Sequence, residues 1–195
     1  MGWEAFSYLI MDEPDLVEEW LEARNQAELR RVACIGDAQR IPVVLTYDDI
    51  AYKSSTHTSP DWLRRVWVPR LARLNAAWHE RGAKCIFHSD GNLWAVMDDL
   101  VAAGIDGINP IEVQAGMTVP ELRARYPQLV LTSGIDVSAL LPFGTPDEVR
   151  QAVTENIRAT HGRGYLVGSS TELHNNVSAE NALAMYETAW QHSGV

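Results

Sequence analysis

The chain has 195 residues, 46% of them hydrophobic, and its 16 basic and 26 acidic side chains give a net charge of −10. At this length a folded chain buries roughly 70% of the surface of its unfolded form, so we expect one hydrophobic core and no intrinsic disorder. The acidic balance argues against nucleic acid and membrane surfaces as partners, and no apolar run approaches the ~18 residues of a membrane span. We expect a cytoplasmic protein whose two cysteines, Cys34 and Cys85, are reduced and buried.

Helices are predicted where apolar residues recur at helical spacing behind a start signal. The strongest signal is a capping box, in which Thr145 and Glu148 each satisfy a backbone N–H of the first turn and Pro146 occupies the first helical position. In chain order, the predicted helices cover residues 14–34, 59–82, 93–101, 145–157 and 178–190.

Short apolar runs alternate with these helices and are typical of buried parallel strands. Strands that alternate with helices of ten or more residues form βαβ units, so the sequence predicts an α/β fold with about five βα units. The predicted strands cover residues 42–47, 84–87, 105–108, 129–131 and 165–167.

Each predicted strand is followed by a polar cluster that contains an acid. Because the carboxyl ends of parallel strands meet at one edge of a sheet, we expect these acids to form a common ligand site. The alternative for any one cluster is that its acid only caps the next helix. The acids of the five clusters are Asp48 with Asp49, Asp90, Glu112, Asp136 and Glu172, and we assign Asp49 to the site in the first cluster.

The most informative cluster is H-S-D-G-N at residues 88–92. His88 and Asp90 stand two apart on an extended chain and therefore point to the same side, where they could transfer protons or bind a metal. Alternatively, His88 is a buried histidine with a hydrogen bond to Asp90 or to a backbone carbonyl. Glu172 and His174 form a second such pair. No spacing here is a metal signature, and dinucleotide, P-loop and nucleophile-elbow motifs are absent from the sequence.

The order of the motifs resembles the uroporphyrinogen decarboxylase superfamily of (βα)8 barrels. The resemblance rests on H-S-D-G-N at 88–92, D-G-I-N-P-I-E at 106–112, S-G-I-D at 133–136 and G-T-P-D-E-V at 144–149. It implies a partial TIM barrel in which residues 1–195 are the C-terminal portion, because a complete barrel usually needs about 250 residues.

The resemblance also implies an enzyme that acts on a tetrapyrrole or related small molecule at the carboxyl ends of the strands. We predict three catalytic residues, His88, Asp90 and Glu172, which would also be the ligands of any metal. The predicted substrate-binding residues are Asp49, Asn109, Glu112, Asp136 and His174. Decarboxylation would require no cofactor.

Two alternatives to a decarboxylase are kept. The first is a corrinoid-dependent methyltransferase or O-demethylase component, which would use zinc or a corrinoid protein. Thr171 stands where related zinc enzymes have a Cys, and H-S-D-G replaces their H-x-C-G, so a zinc-activated thiol acceptor is not expected.

The second alternative is a non-catalytic truncated barrel. Five strands cannot close a barrel, so we expect either self-association or a missing N-terminal segment.

Overall fold

A parallel sheet of five strands is the centre of the computed structural model, which describes residues 2–35, 37 and 39–192. The strand order is β1-β4-β5-β6-β7, so strands that follow one another along the chain are neighbours, and a small antiparallel hairpin, β2-β3, follows β1. The prediction of an α/β fold with five parallel strands is confirmed. The bounds are β1 Val43–Tyr47, β2 Ala51–Tyr52, β3 Ser55–Thr56, β4 Lys84–His88, β5 Gly107–Ile111, β6 Val130–Ser133 and β7 Tyr165–Leu166.

The predicted helices are present in the predicted order, but three helices were not predicted and one begins late. Two of the unpredicted helices, α6 (Val119–Arg125) and α7 (Leu140–Phe143), have seven and four residues, which are too few to show a repeat of apolar positions. A helix that the sequence did not predict, α1, opens the chain, because Gly2 gives it no side-chain cap by which to recognise its start. Helix α5 begins four residues late, because Asn92 Oδ1 accepts a bond from the Trp94 N–H at 3.1 Å and holds a turn instead. The bounds are α1 Trp3–Asp12, α2 Pro14–Ile35, α3 Pro60–Trp62, α4 Val68–Glu80, α5 Met97–Ala102, α6 Val119–Arg125, α7 Leu140–Phe143, α8 Pro146–Ala159 and α9 Ala179–Gln191. A π-helical turn, Leu63–Trp67, joins α3 to α4.

The capping box of α8 is present as predicted. Glu148 N donates to Thr145 Oγ1 at 3.3 Å, and Thr145 N donates to Glu148 Oε2 at 2.7 Å. Helix α8 then buries Val149 and Val153 completely. The box therefore fixes the start of a helix that covers the sheet.

The main core lies between the sheet and its helices. Phe87, Ile108 and Leu131 come from three neighbouring strands and are fully buried, and Met97 and Leu100 of α5 pack in the same cluster. The apolar runs that predicted the strands therefore supply the core.

The two cysteines differ in their environment. Cys85 is buried as predicted, and burial, aided by the nearby Asp106, raises the pKa of its thiol to about 12. The prediction that Cys34 is buried is wrong, because its side chain is exposed. It lies two residues after the buried Val32 on α2, and a helix turns such a position to the opposite face.

The outer strands β1 and β7 leave the sheet with two open edges. In β1 the side chains of Val43, Leu45 and Tyr47 are 51%, 42% and 65% exposed. These apolar residues alternate along β1 and therefore share one face of the sheet, which is suited to cover by another segment of protein. In the part of the chain that the structure describes, every helix is too short or too polar to span a membrane.

Candidate functional site

The carboxyl ends of β1, β4 and β5 bring most of the predicted site residues together. Asp49 follows β1, His88 ends β4, and Asp90 comes two residues later. One ligand atom from each of these three side chains lies within 4.8 Å of the other two. Asn109 of β5 and Glu112, directly after β5, complete the group, which we call the strand-end cluster.

The hydrogen bonds of Asn109 define the proton position on His88. Thr132 Oγ1 donates to the Ile108 carbonyl at 3.0 Å, so it accepts from Asn109 Nδ2 at 2.6 Å. The amide oxygen of Asn109 then faces His88 Nδ1 at 2.7 Å. His88 Nδ1 therefore carries the proton in the neutral ring, and Nε2 presents a lone pair to the site.

The other side of His88 faces a carboxylate and an aromatic ring. His88 Nε2 lies 3.7 Å from Asp49 Oδ1, which also accepts a bond from the Asp90 N–H at 3.0 Å. The Tyr47 ring stacks on the imidazole with centroids 4.1 Å apart. These contacts fix the position of the imidazole ring.

Asp90 is held in a site that disfavours its charged form. Its Oδ1 is buried and has no hydrogen-bond partner. Burial raises the pKa of this carboxyl group, and the nearby carboxylates of Asp49, Glu112 and Glu172 raise it further, against an opposing effect of His88. A carboxyl group with a raised pKa keeps its proton to a higher pH than an ordinary aspartate does, which is what a proton donor requires.

Gly91 forms the turn between Glu112 and the β2-β3 hairpin. Gly91 N donates to Glu112 Oε2 at 2.7 Å, and the φ of Gly91 is +89°. A Cβ at this position would lie 2.6 Å from the backbone of Ala51 in β2. Only glycine therefore permits the close packing of the β2-β3 hairpin on the H-S-D-G turn.

The remaining predicted site residues lie outside the strand-end cluster. Asp136 is buried and serves its own loop, where it accepts bonds from Gln114 Nε2 at 2.9 Å and Ser138 N at 2.8 Å. Glu172 and His174 are exposed on the loop after β7. Hydrogen bonding to Thr171 lowers the pKa of Glu172, with smaller contributions from His174 and His88, so Glu172 stays ionised.

Comparison with known proteins identifies the family. The family model for uroporphyrinogen decarboxylase (URO-D) matches residues 2–192. The chain belongs to the uroporphyrinogen decarboxylase family. A solved structure of a methyltransferase from Methanosarcina mazei is similar to this URO-D chain, with 19% sequence identity and a TM-score of 0.73. No curated protein matches the chain.

The structural match confirms the predicted partial TIM-barrel fold. It covers 96% of the URO-D chain and 53% of the methyltransferase, so the chain spans about half the length of that protein. At 19% identity the match supports the shared fold alone.

The donor atoms of the strand-end cluster determine which metals fit. One imidazole and two carboxylates suit a hard or borderline divalent cation. A second group of ligand-type residues, His79, Cys85 and Asp106, lies at the opposite end of β4. There Lys84 Nζ lies 2.8 Å from Asp106, so an ammonium group already neutralises that carboxylate. The strand-end cluster has no thiolate among the described residues, and a zinc site of the thiol-activating type does not fit it.

Several residues that shape the site were not predicted from the sequence. Thr132 orients Asn109, Tyr47 stacks on His88, and Ser89 Oγ joins the Ile50 N–H to the Asp90 carbonyl. Thr132 and Tyr47 also lie near the ends of predicted strands. They would have been predicted as site residues if all polar and aromatic residues at these positions had been considered, and not acids, His and Asn alone.

Proposed function

We propose that the strand-end cluster is the active site of a URO-D-type enzyme that acts on a small molecule at the carboxyl edge of the sheet. In this proposal residues 1–195 supply the C-terminal portion of the barrel. The observation that supports it most strongly is Asp90, a half-buried residue whose Oδ1 is buried and unpartnered, beside His88 and the carboxylates of Asp49 and Glu112.

The first candidate reaction is decarboxylation of a tetrapyrrole or a related pyrrole acid. Protonated Asp90 delivers a proton to the ring, the bond to the substrate carboxylate breaks, and carbon dioxide leaves while the electron pair neutralises the protonated ring. Asp49 and Glu112 accept hydrogen bonds from substrate N–H groups and stabilise the cationic ring. His88 takes up a proton from solvent and delivers it to the carbon that lost the carboxyl group. The ring then returns its extra proton to Asp90, so one proton is consumed for each carbon dioxide released.

The loop residues have supporting roles in this proposal. Glu172 is ionised and close enough to influence Asp90, so it contributes negative charge at the open side of the site. His174 contacts the outer part of the substrate, Asn109 fixes His88, and Asp136 shapes the neighbouring loop. No redox cofactor enters this reaction.

Methyl transfer is the second candidate, because Asp49, His88 and Asp90 place three ligand atoms within 4.8 Å of one another. These residues would hold a divalent cation, which would supply Lewis-acid polarisation of a methoxylated or N-methylated donor. A separate corrinoid protein would accept the methyl group. The fold shared with the methanogen methyltransferase is compatible with this reaction.

A two-substrate assay tests the proposed function. Purified protein is incubated anaerobically with uroporphyrinogen, and separately with cob(I)alamin, a methyl donor and each candidate divalent cation. We expect turnover in the first assay that is lost in His88→Gln and kept in Arg150→Gln, which changes an exposed residue of α8. Turnover only in the second assay would assign methyl transfer. Turnover in neither assay would refute both reactions and leave the non-catalytic barrel.

We also propose that the open edges at β1 and β7 are covered by a second copy of the chain or by a preceding barrel segment. The outer position of β1 in the sheet and the exposed apolar residues on one face of this strand support this proposal. Light scattering tests it, with a dimer or larger species expected. A stable, compact monomer that does not aggregate would contradict it.

A further inference from the structure

A cavity lies beside the strand-end cluster, between the N-terminal helices and the segment after β1. Its volume is about 180 Å³, roughly that of six water molecules at about 30 Å³ each. Its lining includes several aromatic rings, which we call the aromatic wall, and two carboxylates. The residues that matter here are Trp3, Phe6, Trp20, Trp62, Asp48 and Asp49.

The aromatic wall is built by contacts between separate elements. Trp3 of α1 stacks on His57 with centroids 4.3 Å apart. Phe6, one helical turn later, meets Trp3 edge-on at 6.0 Å and Trp20 of α2 at 6.5 Å. Because α1 has no fully buried side chain of its own, these ring contacts are its main attachment to the fold.

The charges of the cavity favour a cationic ligand. Asp48 and Asp49 share the lining with His57 and with one guanidinium group, that of Arg24, whose guanidinium carbon lies 5.6 Å from the centroid of Trp20. This wall therefore already pairs one of its rings with a cation. Asp48 Oδ2 accepts a bond from Trp67 Nε1 at 3.0 Å, which fixes the carboxylate.

We propose that this pocket binds a compact alkylated ammonium group, such as a quaternary or tertiary amine. Methyl groups on nitrogen spread the positive charge over an apolar surface, which aromatic faces bind through cation–π and van der Waals contacts. The carboxylates of Asp48 and Asp49 supply the opposite charge. A primary ammonium of the same charge would be held less well, because it would lose strong hydration against the rings.

Asp49 connects the pocket to the strand-end cluster. Its Oδ1 lies 3.7 Å from His88 Nε2, and the same residue lines the pocket. A ligand whose ammonium group occupies the pocket would therefore place the remainder of its chain at His88 and Asp90. The inference goes beyond the proposed function and holds for decarboxylation and for methyl transfer alike.

The test compares a cation with a neutral molecule of the same shape. Choline and 3,3-dimethylbutan-1-ol are titrated into the full chain, followed by tryptophan fluorescence and by calorimetry. We expect choline to bind about 5- to 30-fold more tightly than the alcohol, the range expected for a cation–π contribution. Equal affinities, or no saturable signal with choline, would overturn the proposal.

Variants locate the binding site. Trp3→Leu is expected to weaken choline binding by about 5-fold or more, whereas Tyr8→Leu, an exposed aromatic position on the same helix, should leave it unchanged. Asp48→Asn changes no residue of α1, and it should reduce the preference of the pocket for choline over the alcohol. Choline binding that both Trp3→Leu and Asp48→Asn retain would refute the site. Because binding is measured without turnover, loss of the proposed enzyme activity and loss of the pocket are separate outcomes.

Discussion

Replacing Asp90 by Asn is expected to stabilise the folded chain while it removes the acid of the proposed reaction. In the wild-type protein the ionised carboxyl group keeps Oδ1 buried without a hydrogen-bond partner. An amide of nearly the same size carries no charge and can donate hydrogen bonds to the carboxylates around it.

Two contributions set the size of the effect. Leaving a buried polar atom unpartnered costs about 1–3 kcal/mol. The ligand atoms of Asp49 and Asp90 lie within 4.8 Å of each other, where two like charges repel by about 1 kcal/mol in a water-like dielectric and about 3.5 kcal/mol at an effective dielectric of 20. Attraction to His88 and the exposure of Asp49 reduce the sum, so we expect Asp90→Asn to gain about 1–3 kcal/mol near pH 8.

The sign of the pH dependence follows from the raised pKa of Asp90. Its pKa in the fold is higher than the ordinary 3.8, so the folded state binds the proton more tightly and the wild type loses stability as pH rises from 3.8 through the folded value. The advantage of Asp90→Asn therefore grows over that interval and stays constant above it.

Urea unfolding at about pH 8 and about pH 4.5 measures this difference in the free energy of unfolding. At the higher pH we also expect a Tm increase of roughly 2–4 °C per kcal/mol. The matched control is Asp147→Asn, which removes the same charge from a side chain that is 92% exposed, and it should change stability by no more than about 1 kcal/mol, in the destabilising direction. An Asp90→Asn protein that is less stable near pH 8, or whose gain does not depend on pH, would refute the reasoning.

Three further predictions concern other parts of the fold. Burial opposes ionisation of Asp106, but hydrogen bonds from Lys84, Cys85 N and His79 outweigh it and lower the pKa of this carboxyl group. Asp106→Asn should therefore lose about 1–2 kcal/mol of stability at neutral pH. Urea unfolding should show this loss vanishing as pH falls below 3.8 and through the lower folded pKa. Thr145→Ala removes half of the capping box and should cost about 1 kcal/mol, and an unchanged urea midpoint would contradict the assigned cap. Thiol titration of the native chain should show one rapidly reacting group, the exposed Cys34, and two only after denaturation. Two fast thiols in the native state would contradict the burial of Cys85.

The elements that the sequence predicted well are those with local signals. The capping box at Thr145 and the bounded apolar runs of the strands depend on neighbouring residues alone, so their positions follow from spacing. Helix α1 was missed for the opposite reason. It buries no side chain fully, and its ring contacts are with α2 and with His57, which the sequence alone does not place nearby.

The predicted site also has one part that follows from local sequence and one part that does not. That His88, Asp90, Asn109 and Glu112 lie at one edge follows from parallel strands ending together. The partner of His88 could not be predicted, because it depends on the register that sets His88 opposite Asn109 across β4 and β5. Local sequence suggested Asp90 as that partner, whereas the backbone after β4 turns the Asp90 carboxyl group into its own buried position.

The most direct test of the central claim is the rate of carbon dioxide release from uroporphyrinogen by the wild-type chain and by Asp90→Asn, with Asp147→Asn as the control. If Asp90 is the proton donor, the wild type and the control turn over at similar rates, and kcat falls by about 10²- to 10⁴-fold in the folded Asp90→Asn protein. Equal rates in the wild type and Asp90→Asn would contradict the assigned role of Asp90, and no release by any of the three would contradict decarboxylation at this site.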